Sequence, residues 1–165
     1  MKTKKILLPF IAMAIIAGLV GCNNDGDSGG TGQLVVKMTD APFPSDLVSE
    51  ANVTVTKIEA RQKGGDSESA FITIMEDEVP ANLLDLTNGV TENLADVEIP
   101  EGTYDLIRVY VADATVVLKD GTSYDLKVPS GSSSGIKIFV KPGIEVAGGL
   151  TAELLLDFDV ASSFV

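Results

Sequence analysis

Apolar residues recur at every second position along most of the chain beyond residue 33, and a period of two belongs to strands with one buried and one exposed face. In SYDLKV, Tyr124, Leu126 and Val128 share one face while Asp125 and Lys127 share the other. GIKIFV repeats the device with Ile136, Ile138 and Val140. NVTVTKIEA starts with Val53 and Val55 on one face but continues with Ile58 and Ala60, one residue out of phase. A β-bulge near Thr56 or Lys57 restores the phase. Further strands are predicted at Leu34 to Met38, Phe71 to Met75, Leu83 to Leu86 and Ala152 to Phe158, and a long one opens at Thr103 behind a Pro-Glu-Gly turn.

Turn chemistry agrees with this pattern. Asp120-Gly121 lies between two alternating runs, which predicts a hairpin with a type I′ turn and positive φ at both positions. Asn88-Gly89 predicts another turn, and the polar stretch from Gln62 to Ser69 reads as a hairpin tip. Tyr104 stands near the entrance of its strand, where a tyrosine packs across the corner of many sandwiches. No segment after the leader carries a 3.6-residue period, so only short helices are expected, at Asp46 to Glu50 or after Asp159. The 133 residues from Gln33 to Val165 suffice for one domain with a real core. The predicted fold class is all-β, an antiparallel β-sandwich of the immunoglobulin or transthyretin kind with at most short helices.

The first 21 residues follow a different plan. Lys2, Lys4 and Lys5 precede an apolar run from Ile6 to Val20, interrupted by Pro9 and Gly18. The run is shorter than the roughly 18 apolar residues of a spanning helix, so a cleaved signal peptide is expected. It ends in LVGC, and Cys22 is the chain's one cysteine. This order is similar to the lipobox of bacterial lipoproteins, in which the cysteine sulfur receives a diacylglycerol and becomes the new N-terminus. Residues 22–32 then read as lipidated cysteine plus flexible tether, and 33–165 as the folded domain. Asn23 after the cysteine is similar to an outer-membrane sorting signal, so an exported, lipid-anchored envelope location is expected.

The leader holds three of the 12 cations and no acid, leaving nine cations against 24 carboxylates and a net charge of −15. Such a surface repels phosphate backbones, so no nucleic-acid partner is expected. The chain has no histidine, which excludes Ser-His-Asp and Cys-His catalysis and His-bearing zinc sites. With Cys22 in the anchor no thiol remains for a nucleophile or a disulfide, and no tryptophan is present. The expectation is a protein that is not an enzyme.

MTDAP (Met38 to Pro42), LLDLTNG (Leu83 to Gly89), IPEGTYDLIRVYV (Ile99 to Val111), LKVPSGSSSGIKI (Leu126 to Ile138) and LLDFDVASS (Leu155 to Ser163) occur in one order. With these segments the chain resembles the bacterial lipoprotein domain family catalogued as domain of unknown function 4382. The resemblance implies an exported β-sandwich and supplies no established activity. Family members often continue past the DFD segment into a closing strand, so a shorter variant or an exposed sheet edge is expected here.

Two segments are candidates for chemistry. In LLDFDV, Glu153, Leu155, Asp157 and Asp159 fall on one strand face and Leu154, Leu156 and Phe158 on the other. Asp157 and Asp159, joined by Asp40 if the loops converge, would offer oxygen ligands to Ca²⁺, although the spacing matches no EF-hand and a solvated strand face is the simpler reading. VPSGSSSGIK lacks the Lys-Ser/Thr ending and following helix of a P-loop, and Ser130, Ser132, Ser133 and Ser134 have no histidine to activate them. A loop at one end of the sandwich remains, where such proteins often bind. The expected function is therefore a membrane-anchored envelope lipoprotein whose sandwich binds a glycan or an envelope protein. An accessory subunit of an envelope assembly is the alternative, followed by a calcium-binding protein or a carboxylate-based enzyme.

Overall fold

The computed structural model describes residues 29–40, 46–64, 71–128 and 131–159. Nine strands follow in chain order: β1 (Thr31–Asp40), β2 (Val48–Gln62), β3 (Phe71–Met75), β4 (Val79–Asn82), β5 (Glu92–Pro100), β6 (Gly102–Leu118), β7 (Ser123–Asp125), β8 (Ile136–Val146) and β9 (Thr151–Phe158). They form two sheets packed face to face, so the chain is an all-β sandwich. The smaller sheet has the order β5-β1-β9. The larger is built on the long β2–β6 pair, with β3 and β4 along the other side of β2 and β7 and β8 along the other side of β6. Every pairing is antiparallel except β1–β9, which is parallel. That exception follows from chain path: β8 belongs to the larger sheet, and a short turn carries the chain over to the smaller one beside the start of β1.

The period-two residues do what their spacing predicts. Leu34, Val36 and Met38 of β1, Val55, Ile58 and Ala60 of β2, and Ile107, Val109 and Val111 of β6 meet in one core, all essentially inaccessible to water. Ile136, Ile138 and Val140 pack against it from β8, and Leu154, Leu156 and Phe158 from β9. The bulge on β2 falls where the phase change requires it. Val55 pairs with Val111 and Lys57 with Tyr110, so Thr56 is the extra residue, and its hydroxyl donates to the Tyr110 carbonyl oxygen at 3.4 Å.

Local structure departs from the sequence reading at four places. Leu83–Leu86 is a 3₁₀ turn rather than a strand. Asn82 caps it, accepting from the Leu84 amide at 3.3 Å, and Leu83 and Leu86 still reach the core. No helix forms at Asp46 to Glu50, because β2 already begins at Val48 and pairs with the end of β6. The hairpin at Asp120-Gly121 exists, but only Gly121 has positive φ (85°) and its amide donates to the Leu118 carbonyl at 2.9 Å. This is a type I turn closed by a left-handed glycine; the type I′ geometry occurs instead at Asn88-Gly89, with φ of 59° and 84°. Finally, β7 covers only Ser123–Asp125, and Tyr124 is 53% exposed rather than half-buried.

Tyr104 occupies the corner expected of it. It is 1% exposed, and its hydroxyl donates to the Pro100 carbonyl at 2.8 Å across the one-residue connection between β5 and β6. Because β5 lies in one sheet and β6 in the other, this side chain ties the point where the chain changes sheets.

Candidate functional site

The bulge at Thr56 decides what the larger sheet shows to solvent. Without it, the phase of Val53 and Val55 would send Lys57, Glu59 and Arg61 into the core. With it, Ile58 and Ala60 turn inward and the charged residues line the outer face. On β6, Arg108 and Tyr110 share that face, and the register joins the strands into two rows. Phe71, Arg61, Leu106 and Phe139 form one row, and Thr73, Glu59, Arg108 and Lys137 the next.

Glu59 is the hub of this surface. Lys57 Nζ lies 2.9 Å from Glu59 Oε1, the Tyr110 hydroxyl donates to Glu59 Oε2 at 2.9 Å, and Arg108 Nη1 stands 3.8 Å from the same oxygen. Lys57 also reaches Glu76 at 3.7 Å and sits 5.8 Å from the Tyr110 ring centroid. The Arg108 guanidinium stacks over the Phe71 ring at 3.8 Å. One strand position along, Arg61 grips Asp105 Oδ1 through Nε at 3.1 Å and Nη2 at 2.9 Å. Leu106 is only 3% exposed although it belongs to this outer face, so the layer of charged and aromatic side chains is itself packed.

Burial pushes the Glu59 carboxyl up, yet the hydrogen bonds from Lys57 and Tyr110 and the charges of Lys57 and Arg108 outweigh it, and its pKa falls below the ordinary value. The Glu59 hydrogen bond raises Lys57. Burial, followed by the same carboxylate, raises Tyr110. All three groups are thereby locked in their neutral-pH states: carboxylate, ammonium and protonated phenol. General acid–base work asks for pKa values near the operating pH, and these shifts run the other way. The arrangement positions charge and hydrogen-bond donors.

The serine-rich turn borders this surface. Residues 131–134 turn beside β6, with the Val111 amide donating to the Gly131 carbonyl at 3.2 Å, and Ser132, Ser133 and Ser134 are exposed. Gly135, with φ of 71°, lies so close that a Cβ there would sit 3.2 Å from both Arg108 Cβ and the Tyr110 ring. The sequence singled out the turn but not its neighbours. Lys57 and Glu59 were visible only as the polar half of an alternating strand, although the phase change at Thr56 already implied which way they face, and Arg108 only as the polar residue between Ile107 and Val109. Ser130 and Cys22 lie outside the described residues.

The carboxylates considered for calcium do not converge. Asp40 continues the inward face of β1 and is 5% exposed, in register with Phe158. Asp157 is exposed across from Thr39 on the outer face, as the alternation predicts, and Asp159 is exposed just past the end of β9. Among the described residues no group of three or more Asp or Glu is placed to hold a metal ion. The outer face of the smaller sheet is acidic instead, with Asp96, Glu98, Glu153 and Asp157 exposed and Lys37 pairing with Glu153 at 2.7 Å. Among the described residues no helix is long and apolar enough to cross a membrane.

A family model described as "Domain of unknown function (DUF4382)" matches residues 31–165. Neither the curated proteins nor the solved structures contain a match to the chain.

Proposed function

We propose that this chain, which belongs to the family of Domain of unknown function (DUF4382), is a lipid-anchored envelope protein whose sandwich is a binding module. Its ligand, a glycan or an envelope protein, docks on the outer face of the larger sheet beside the Ser132 to Gly135 turn. One observation carries this reading: that face combines an exposed aromatic ring, Phe139 at 65% exposure, with a prearranged lattice of charges and hydroxyls. Fixed polar groups around an exposed ring are what recognition needs, because little side-chain freedom is lost on binding.

The anchor reading is supported by the leader, LVGC and the linker composition of the following residues. Each acyl CH₂ buried in a bilayer contributes about 0.8 kcal/mol, so several chains on Cys22 hold the protein to the membrane without a spanning helix. Cys22→Ala should shift the protein from the membrane fraction to the soluble fraction, read by immunoblot after ultracentrifugation. A variant that stays with the membrane would remove lipidation from the account. Protease treatment of intact cells then assigns the exposed side: digestion places the domain on the outer surface, and protection until the envelope is opened directs the search to a periplasmic partner.

A further inference from the structure

One side of the sandwich is less closed than the other. Where β3 and β5 bound it, Ile74, Leu94 and Ile99 are buried. Where β8 and β9 bound it, the inward residues Ile136, Ile138, Val140, Leu154 and Phe158 are only partly buried. Each of these two strands pairs on one side alone, β8 with β6 and β9 with β1, so among the described residues both present an unpaired edge. Their outer faces carry the exposed apolar residues Phe139 and Leu155. An open edge with apolar side chains is a template for another strand.

The two edges complement each other. Pairing must set inward residues opposite inward residues, so only shifts of two residues are open. An antiparallel β8–β9 pair with Phe139 opposite Leu155 places Lys137 opposite Asp157, Ile138 opposite Leu156 and Val140 opposite Leu154. A shift of two in either direction would put Phe139 opposite Glu153 or Asp157. Among the described residues neither Lys137 nor Asp157 has an ion-pair partner of its own. Like edges fit worse, because a β8–β8 pair centred on Phe139 opposes Lys137 to Lys141 and a β9–β9 pair centred on Leu155 opposes Glu153 to Asp157.

We propose that two copies of this chain join through these edges, β8 of each antiparallel to β9 of the other, about a two-fold axis parallel to the strands. Both junctions are then identical, and the two less closed sides cover each other. Such an axis requires paired residues to stand at one level along the strands. A Cβ on Gly32 would touch Val146 Cγ1, which puts Gly32 and Val146 at one level. From there Phe139 is opposite Leu106, four residues along β6 from Gly102, the partner of Val146; Leu155 is opposite Lys37, five residues along β1 from Gly32. The levels agree within about one residue. The turn between β8 and β9, in which the Leu150 amide donates to the Ala147 carbonyl at 3.1 Å, reverses the chain, so the partner's β9 meets β8 antiparallel. The same axis leaves the start of β1 at one end in both copies, as two tethers to one membrane require. Only this last agreement rests on the anchor reading, and the outer face of the larger sheet stays open for a ligand.

The test is disulfide trapping in intact cells with a mild oxidant, read on non-reducing gels. Positions 139 and 155 lie on the outer faces of different sheets, so thiols there do not join within one copy. Phe139→Cys and Leu155→Cys chains carrying different tags should form a mixed dimer when co-expressed, and neither should dimerise alone. Lys137→Asp in both chains should lower the yield about tenfold, since like charges then meet at both junctions, and adding Asp157→Lys should restore it. Restoration shows that the loss is one of pairing rather than of folding. A dimer of the unsubstituted chain would report a free Cys22 thiol and count against the anchor, not against the pairing. Trapping from Phe139→Cys alone or Leu155→Cys alone would indicate a like-edge pair and overturn the proposal. Yields indifferent to Lys137→Asp, or no trapping in any strain, would overturn it as well.

Discussion

Tyr104→Ala should lower the stability of the domain by about 3–5 kcal/mol, and Tyr104→Phe by about 1 kcal/mol, as read from denaturant midpoints at unchanged m-value. The alanine variant loses a large buried ring and leaves a cavity where the chain passes from β5 to β6. The phenylalanine variant keeps the packing and gives up only the 2.8 Å hydrogen bond to the Pro100 carbonyl. The difference between the two separates the ring's contribution from the hydroxyl's. If both substitutions cost the same, the hydroxyl rather than the ring secures the corner. A loss below about 1 kcal/mol for alanine would contradict the placement of Tyr104 in the core.

Glu59→Gln should destabilise the protein by about 1–3 kcal/mol at neutral pH, because it leaves the cations around Glu59 without their shared carboxylate. The side chain of Glu59 is 14% exposed and that of Arg108 is 13%, so water screens the loss only in part. The pH dependence gives the stronger signature. The folded-state pKa of Glu59 lies below its ordinary value of 4.5. Its stabilising contribution is therefore complete above the unfolded pKa and disappears as the pH falls through the folded one. The stability gap between the native chain and Glu59→Gln should be constant at neutral pH and narrow as the pH drops below about 4.5, where the native carboxyl protonates. Urea titrations across that range measure the gap directly. A gap that persists unchanged into acid would show that the charge of Glu59 is irrelevant and that only its shape matters.

Much of the fold was legible because one face of each strand is buried and its period is short. Leu34, Val36 and Met38, or Ile136, Ile138 and Val140, announce their direction within a few residues, and the phase slip between Val55 and Ile58 located the bulge at Thr56. What failed was information that is not local. Leu83–Leu86 has a strand-like composition, yet it is held as a 3₁₀ turn by the Asn82 cap and by leucines packing into a core built from distant strands. Asp120-Gly121 and Asn88-Gly89 both signal turns, but the loop each must close decides the turn type, and the sequence pattern does not carry that loop's geometry. The parallel β1–β9 pair depends on where the chain changes sheets after β8.

The site was legible only in part, for the same reason. The serine turn stood out by composition, whereas Glu59, Arg108 and Lys137 come together through pairings between strands far apart in sequence. Asp40 and Asp157, considered together in the sequence only on condition that their loops converge, lie on opposite faces of the small sheet, since β1 and β9 run in register there and alternate their side chains. Registry across strands, which no single segment encodes, separated Asp40 from Asp157 and brought Glu59 beside Arg108.

Site-specific photo-crosslinking in intact cells reads out whether a ligand docks on the outer face of the larger sheet, as proposed. A benzophenone amino acid would replace Phe139 on that face and, in a separate strain, Leu155 on the smaller sheet, where it is 52% exposed. A discrete higher-mass adduct with a molecule other than a second copy of the chain is expected from position 139 and none from position 155. Such adducts from position 155 alone would overturn the proposed surface and move the contact to β9 and the acidic face.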